Sequence, residues 1–573
     1  MGISAAVFES AGKRTEHLIP GTYSRSNNIS SAGGISSGNV VILGESTGGK
    51  PNTLLGFSTL AEAKDALVSG ELLNGVAHAF TPSADSRPQR VYAMRVNVGT
   101  QAETVLKTGD TEVLKLKSWD YGVHTNQLKI LVEDGTDEGT KKISVAFRDN
   151  KIEYDNIIKN SFTMVYTGEG TNPNVTITNT NLRASATIDD VESDVLEVSF
   201  NDFETIEALV ARINDSESYI ATLIDSDVNS KTKDLDSVSN VTISEDAVFT
   251  STLKAIIDKL ESCAFIGKGN VELVSSSRIL PESGYIYQYF TGGTAGNANT
   301  SDWLVTLGLL EKENVQIIAT TSTSAAVQNL IASHCAEMST TENRMERTCF
   351  LGGVLGITDD EACTIAKGYN SKYVSFVADG IIATNPLTGE VETLPGSYLA
   401  CKLAGLEASY SVSEPLTNKN VNVIGFYETR KKSSIEKLIS NGVLVVNVTQ
   451  DNRFAVIRSL TTYQSDDLMS CERSMVREDL FMNRDLRNRF VGGIGSVNDI
   501  DTDSIVVVLR NAAKEWARNN YIVPKGSDNV WDISVRIDGD KVYLTYSRYL
   551  AAPRNFVFIT ANNYTYSTTT VAI

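Results

Sequence analysis

Histidine is scarce in this chain, with four in 573 residues, at positions 17, 78, 124 and 334. There is no Gly-x-Ser-x-Gly elbow and no H-E-x-x-H, so the sequence offers neither a hydrolase triad nor a zinc-protease helix. Cysteine is as thin, at 263, 335, 349, 363, 401 and 471. No two of these stand at C-x-x-C spacing, so neither a zinc site nor a disulfide framework is signalled. Buried free thiols in a protein made in the cytoplasm are expected instead. No run of eighteen apolar residues occurs, so no membrane span is expected. The first residues lack the apolar stretch of a signal peptide. Ala6 also breaks the myristoylation pattern. Positive charge is in deficit, and the net charge of −19 disfavours a general nucleic-acid binder. No cofactor, no metal and no enzymatic activity are expected.

What is present divides the chain. Its length exceeds one hydrophobic core, so several domains are expected. Residues 1–38 are rich in Ser, Gly and Asn and poor in apolar residues, and read as an arm or a disordered leader. Val40-Val41-Ile42-Leu43 reads as a buried strand, followed by a helix capped by Thr59 with Glu62 three residues on. Residues 100–254 change texture, with Thr, Asn, Asp and Ser enriched and Pro173 the only proline. There, Leu128, Ile130 and Val132 alternate, as do Ile143, Val145 and Phe147, which predicts a hairpin. Ile206, Leu209, Val210 and Ile213 predict one short helix. This region reads as a mainly β domain inserted into something else. Over residues 255–450 strands and helices alternate, with Asp302 and Thr358 as helix caps, which implies a largely parallel sheet with helices on both faces. The fold class is therefore an α/β core, residues 39–99 and 255–450, with the inserted mainly-β domain. A C-terminal α+β domain, residues 451–561, and extended arms at both ends complete it.

Three stretches bear on function. Gly44 through Lys50 fits G-x-x-x-x-G-K after a strand, nearly a phosphate-binding loop. The next residue is Pro51, which has neither the hydroxyl for Mg²⁺ nor the backbone N–H, so a sharp turn is the preferred reading. Between residues 453 and 490 lysine is absent; Arg453, Arg458, Arg473, Arg477, Arg484, Arg487 and Arg489 alternate with carboxylates. Arginine forks suit bidentate carboxylate pairs, inside a subunit or across an interface; i,i+4 pairing on a solvated helix is the alternative. In the last seventy residues Ser504 can cap a helix whose stripe is Leu509, Ala512, Ala513 and Trp516. A hairpin with its turn at Asp538-Gly539 and a third strand over Phe556, Val557, Phe558 and Ile559 are expected to follow. Tyr564 to Ile573 then continues uncharged and strand-forming. Extended, those ten residues span roughly 33 Å, enough to reach a neighbouring subunit; the alternative is that they cover their own sheet edge.

Several stretches in order resemble the tail sheath proteins of contractile-tailed bacteriophages. They are Gly48-Gly49-Lys50-Pro51-Asn52-Thr53 with Ser69-Gly70-Glu71-Leu72-Leu73, and Thr291-Gly292-Gly293-Thr294-Ala295-Gly296 before Asp302-Trp303. Leu394-Pro395-Gly396-Ser397 leading into Ala404-Gly405-Leu406 is the third. Arg458-Ser459-Leu460-Thr461-Thr462, with the arginine-rich helix and Phe490-Val491-Gly492-Gly493, is the fourth. The resemblance covers roughly 38–100 and 255–573; residues 100–254 look like the family's variable surface insertion. It implies a core that is subtilisin-like in fold, without protease chemistry. It also implies a homopolymer of stacked rings around a tail tube, which contracts to drive the tube through the host envelope. Arm strands would link neighbours: Ile3, Val7 and Phe8 at one end, and Tyr564, Tyr566, Val571 and Ile573, in residues 562–573, at the other. Arg473, Arg477, Arg484 and Arg487 would meet the tube or neighbouring subunits. The implied partners are other copies of the chain, the tail tube protein, and baseplate and tail terminator proteins, with no nucleic acid and no membrane. The implied place is the virion tail, assembled in the bacterial host cytoplasm. The rival readings are the sheath of a genome-free injection particle, a nucleotide-binding enzyme built on Gly44 to Lys50, and a surface adhesin.

Overall fold

A computed structural model describes residues 38–492 except residue 228, residues 502–564, and the backbone of two N-terminal strands, Ala6–Ser10 and Lys13–His17. The chain divides into two compact units. One is Asn39–Arg477 with the segment from Ala552; the other is Glu478–Ala551 with the N-terminal strands.

The first unit is built on an eight-stranded sheet. Its strands in chain order are β1 (Val40–Gly44), β2 (Leu54–Phe57), β3 (Val91–Arg95), β4 (Ile317–Thr320), β5 (Thr348–Gly352), β6 (Val374–Val377), β7 (Val443–Val448) and β8 (Phe454–Arg458). Across the sheet they run β8-β7-β6-β5-β4-β1-β3-β2. Neighbours from β7 to β3 are parallel, and β2 and β8 close the two edges antiparallel. A parallel sheet is covered on both faces, so its strands read as continuous apolar runs. Accordingly Val40 and Ile42 join one core while Val41 and Leu43 join the other. Helices α1 (Glu71–Phe80) and α2 (Gly396–Ala408) cover the first face. The second is covered by the helices Thr300–Leu310, Ala325–Met338, Asp359–Tyr369 and Lys432–Ser440. The alternation read over residues 255–450 is thus a three-layer α/β/α arrangement. Thr358 caps its helix, as its sequence suggests, in a reciprocal box with Glu361. Asn299, rather than Asp302, caps the earlier one; Asp302 is its box partner three residues in.

The inserted region holds two cores, not one. Strands over 160–250 and the helix Ile206–Asn214 enclose the first, around Phe162, Val175, Leu209 and Phe249. The second packs strands over 101–157 against the helix Thr252–Ser262, through Leu253, Ile256 and Leu260. Val271–Leu273 and Gln288–Tyr289 pair with these same inserted strands. The boundary therefore falls near residue 294, not 254. The first helix after the β-rich stretch carries an apolar face like any core helix, but that face serves the insertion. The hairpin Leu128–Asp134 with Lys141–Phe147 forms as its alternation predicts.

Residues 451–477 also move. Phe454–Arg458 is an edge strand of the large sheet and does not begin a separate C-terminal domain. The second unit keeps the C-terminal part of helix α3 (Arg473–Val491) and helix α4 (Thr502–Arg518). Leu509, Ala512, Ala513 and Trp516 of α4 pack with Met482, Ile522 and Val530. Ser504 lies inside α4 and is not its cap. The hairpin Trp531–Asp538 with Lys541–Ser547 is present, but its loop is Gly539-Asp540, with Asp538 paired to Lys541. Positive φ is found at Gly539 alone of these two, as in the two-residue loops with Gly first.

Candidate assembly site

The arginine-rich stretch falls mainly on α3, and the structure separates its arginines. Arg473 is 0% exposed. Its Nε and Nη2 donate to the two carboxylate oxygens of Glu407 at 2.7 and 2.9 Å, a bidentate fork. The remaining donors reach the Cys349 carbonyl at 3.0 Å, Ser375 Oγ at 2.9 Å and Thr348 Oγ1 at 2.8 Å. The guanidinium also lies 3.7 Å from the Phe350 ring centroid. Arg477, also buried, sits 3.6 Å from the same Glu407 carboxylate. Burial alone would raise the Glu407 pKa; the Arg473 and Arg477 charges and the Arg473 hydrogen bond outweigh it and hold the carboxyl below its ordinary value. The expectation that Arg473 and Arg477 face a tube or neighbour is corrected: their partner is internal, on α2. Arg489 takes the i,i+4 option, with Asp485 at 3.0 Å. Arg484 and Arg487 are partly buried on the same helix.

Glu407 escaped the sequence reading, although a signal existed. Helix α2 is otherwise small and apolar, yet carries Lys402 and Glu407, both buried. A charge in such a helix calls for a partner. Lys402 donates to the Thr81 carbonyl at 3.0 Å, and burial lowers its pKa to about 8.

The chain ends present the other candidates. Ala6–Ser10 pairs antiparallel with Lys13–His17, Val7 opposite Glu16 and Phe8 opposite Thr15, so one edge of that strand is used within the chain. Ile3, Tyr566, Val571 and Ile573 lie outside the described residues. Phe556 to Ile559 do not form the third strand expected of them, because no strand of the described chain pairs with them. They are exposed instead, Phe558 at 93% and Tyr564 at 90%. Four apolar residues left in water mark a surface that another chain can cover.

The near phosphate-binding loop is already filled. The Gly49 N–H donates to both oxygens of Asp120 at 2.9 and 3.2 Å, and the Gly49 carbonyl accepts from Arg95 at 2.7 Å. An edge strand, β2, follows the loop, so no helix N-terminus points into it. Among the described residues no helix is long and apolar enough to cross a membrane.

Residues 294–462 match the family model for the phage tail sheath protein central domain. The match begins where the insertion ends and closes just after β8. The tail sheath protein of Bacillus phage SP01 is 24% identical over 571 residues, covering 96% of this chain and 95% of that protein. The tail sheath protein of Staphylococcus phage Twort is 22% identical, covering 78% of this chain and 80% of its own. The chain is similar to phage tail sheath proteins. A sheath tail protein from Listeria innocua shares the fold, with a TM-score of 0.55 at 13% identity, over 90% of this chain and 96% of that one.

Proposed function

We propose that this chain is the subunit of a contractile phage tail sheath. It polymerises as helical rings around a tail tube and shortens to drive the tube through the host envelope. The alignment with a tail sheath protein over 96% of the chain carries this reading. The α/β/α unit is then the subtilisin-like core of the resemblance, without its chemistry. The virion tail is the place of action, assembled in the host cytoplasm. The tube, baseplate and tail terminator proteins are the partners beside other copies of the chain.

Linkage follows from the chain ends. The hairpin Trp531–Asp538 with Lys541–Ser547 is two-stranded and keeps an outer edge free on each side among the described residues. An added strand would make main-chain hydrogen bonds there, with alternate side chains setting register. Each such bond nets only about 1 kcal/mol, so a lattice needs many together. The extended sheath is then a kinetically trapped assembly, and contraction rotates and slides its rings into a lattice with more contact. Arg484 and Arg487 are the remaining arginines assigned to the tube or to a neighbour. Reversing both to Glu is expected to impair assembly on tubes while leaving the monomer folded.

The direct test is negative-stain microscopy of the purified protein, with rings or hollow tubes expected. Removing residues 562–573 is expected to leave a folded, soluble monomer that forms none. Normal tubes from the truncated protein would exclude a linking role for the tail.

A further inference from the structure

We propose, resting on the reading of residues 562–573 as a linking arm, that Glu472 and Arg458 are its positioning residues, clamping the arm's root at Asn555 and Phe556. Glu472 stands between the short helix Leu468–Cys471 and α3, fixed by a backbone bridge with Leu460. Its side chain is fully buried. One carboxylate oxygen accepts from Asn555 Nδ2 at 3.1 Å, and Arg458 Nε lies 3.9 Å from that same oxygen. The Arg458 guanidinium is in turn 5.8 Å from the Phe556 ring centroid. Two residues of the sheet edge region thus meet two consecutive residues of the tail, the half-buried Asn555 and Phe556, the first of the exposed apolar run. A linking strand needs such a root, since tension on the strand must pass into the body of the subunit.

The clamp is incomplete, which makes it adjustable. The second Glu472 oxygen and Arg458 Nε have no hydrogen-bond partner among the described residues. Arg458, from β8, is the charged group facing Glu472; Asn555, from the tail, and Leu460 carry no charge. Burial pushes the Glu472 carboxyl up to about 7, against the opposing pull of Asn555 and Arg458. With the root released the carboxyl meets water and returns towards its ordinary 4.5. The clamped state therefore binds the proton more tightly. The clamp is fully engaged below the ordinary value and weakens as pH rises through about 7.

Tryptic cleavage after Arg554, an exposed residue next to Asn555, reports the clamp in the unassembled full-length protein. Cleavage needs the local chain released, so its rate follows the open population when cutting is slower than reclosing. Rates are divided by those for a free peptide of the same local sequence, which removes the protease's own pH dependence. The wild-type rate is expected to rise severalfold from pH 6 to pH 8.5. Asn555→Ala is expected to raise it severalfold at pH 6. Glu472→Gln keeps an acceptor but cannot ionise, and is expected to flatten the pH dependence. An Asn555→Ala rate equal to wild type, or a Glu472→Gln profile parallel to wild type, overturns the clamp. Asn555 lies on the tail, so its variant keeps the test open if a change at Glu472 unfolds the unit. Tube formation is scored separately by microscopy. A wild-type protein that makes no tubes counts against the sheath reading and leaves the cleavage result to judge the clamp.

Discussion

Arg473 shows what the arginine-rich stretch is for. Its fork spans both oxygens of Glu407 while its other donors bind groups on β5 and β6. Lysine could not do this, because an ammonium lacks the planar pair of parallel donors. Arg473→Ala leaves the Glu407 charge buried with only the more distant Arg477, and is expected to cost about 3–5 kcal/mol in urea unfolding. The pH dependence has a definite sign. Glu407 titrates below its ordinary 4.5 when folded, so its contribution is complete above that value and is lost as pH falls through the depressed one. The difference between wild type and Arg473→Ala is therefore expected to shrink between pH 6 and pH 3, read from the urea midpoints. The wealth of arginine was legible in the sequence, and so was its need for carboxylates. The partner was not, because Glu407 lies 66 residues earlier and only the packing of α2 under the sheet brings the two together.

Elements were legible where their pattern was local. The hairpin at Leu128–Phe147, the helix at Ile206 and the stripe of α4 each state their own period. The pattern fails where an element needs a partner to exist. Phe556 to Ile559 have the bulk of a strand but no strand to pair with in the described chain, and so they stay unpaired and exposed. Helix α2 illustrates a signal that pattern alone cannot interpret. A methyl added at Gly405 would lie 2.0 Å from the Ala79 carbonyl oxygen, so α1 and α2 touch backbone to backbone there. Gly308, on the exposed face of the helix Thr300–Leu310, has nothing within 4 Å of that position. The same substitution should thus act in opposite directions. Gly405→Ala is expected to destabilise by about 1–3 kcal/mol through overpacking. Gly308→Ala is expected to stabilise by about 1 kcal/mol through helix propensity. Thermal melting of the two variants measures both.

At the scale of the molecule, the insertion decides how the chain can be cut. The large sheet was legible as alternating βα units, but the end of the insertion was misplaced, since texture marks where a region starts and contacts mark where it closes. It closes at Thr100 and Thr294, which form an antiparallel bridge, with the Thr100 N–H 2.9 Å from the Thr294 carbonyl oxygen. Two points already in contact can be joined by a short linker at little cost in chain entropy. Arg95 and Asn97, which support the loop before them, bind the Ala295 carbonyl at 2.6 and 2.8 Å and keep that partner after excision. Arg95 loses its bond to the Tyr121 carbonyl, and Gly49 loses its bonds to Asp120. A cut at residue 254 instead splits the helix Thr252–Ser262 and strips Ile256 and Leu260 of the strands that bury them. Exposed apolar surface of that kind drives aggregation. Replacing residues 101–293 with a Gly-Ser linker is therefore expected to give soluble protein that still forms tubes. Replacing residues 100–254 is expected to give aggregates, as seen by size-exclusion chromatography and microscopy. Soluble protein from the shorter excision would show that residues 255–293 fold without the inserted strands. Loss of tubes in soluble protein from the longer one would put the insertion among the contacts that build the lattice.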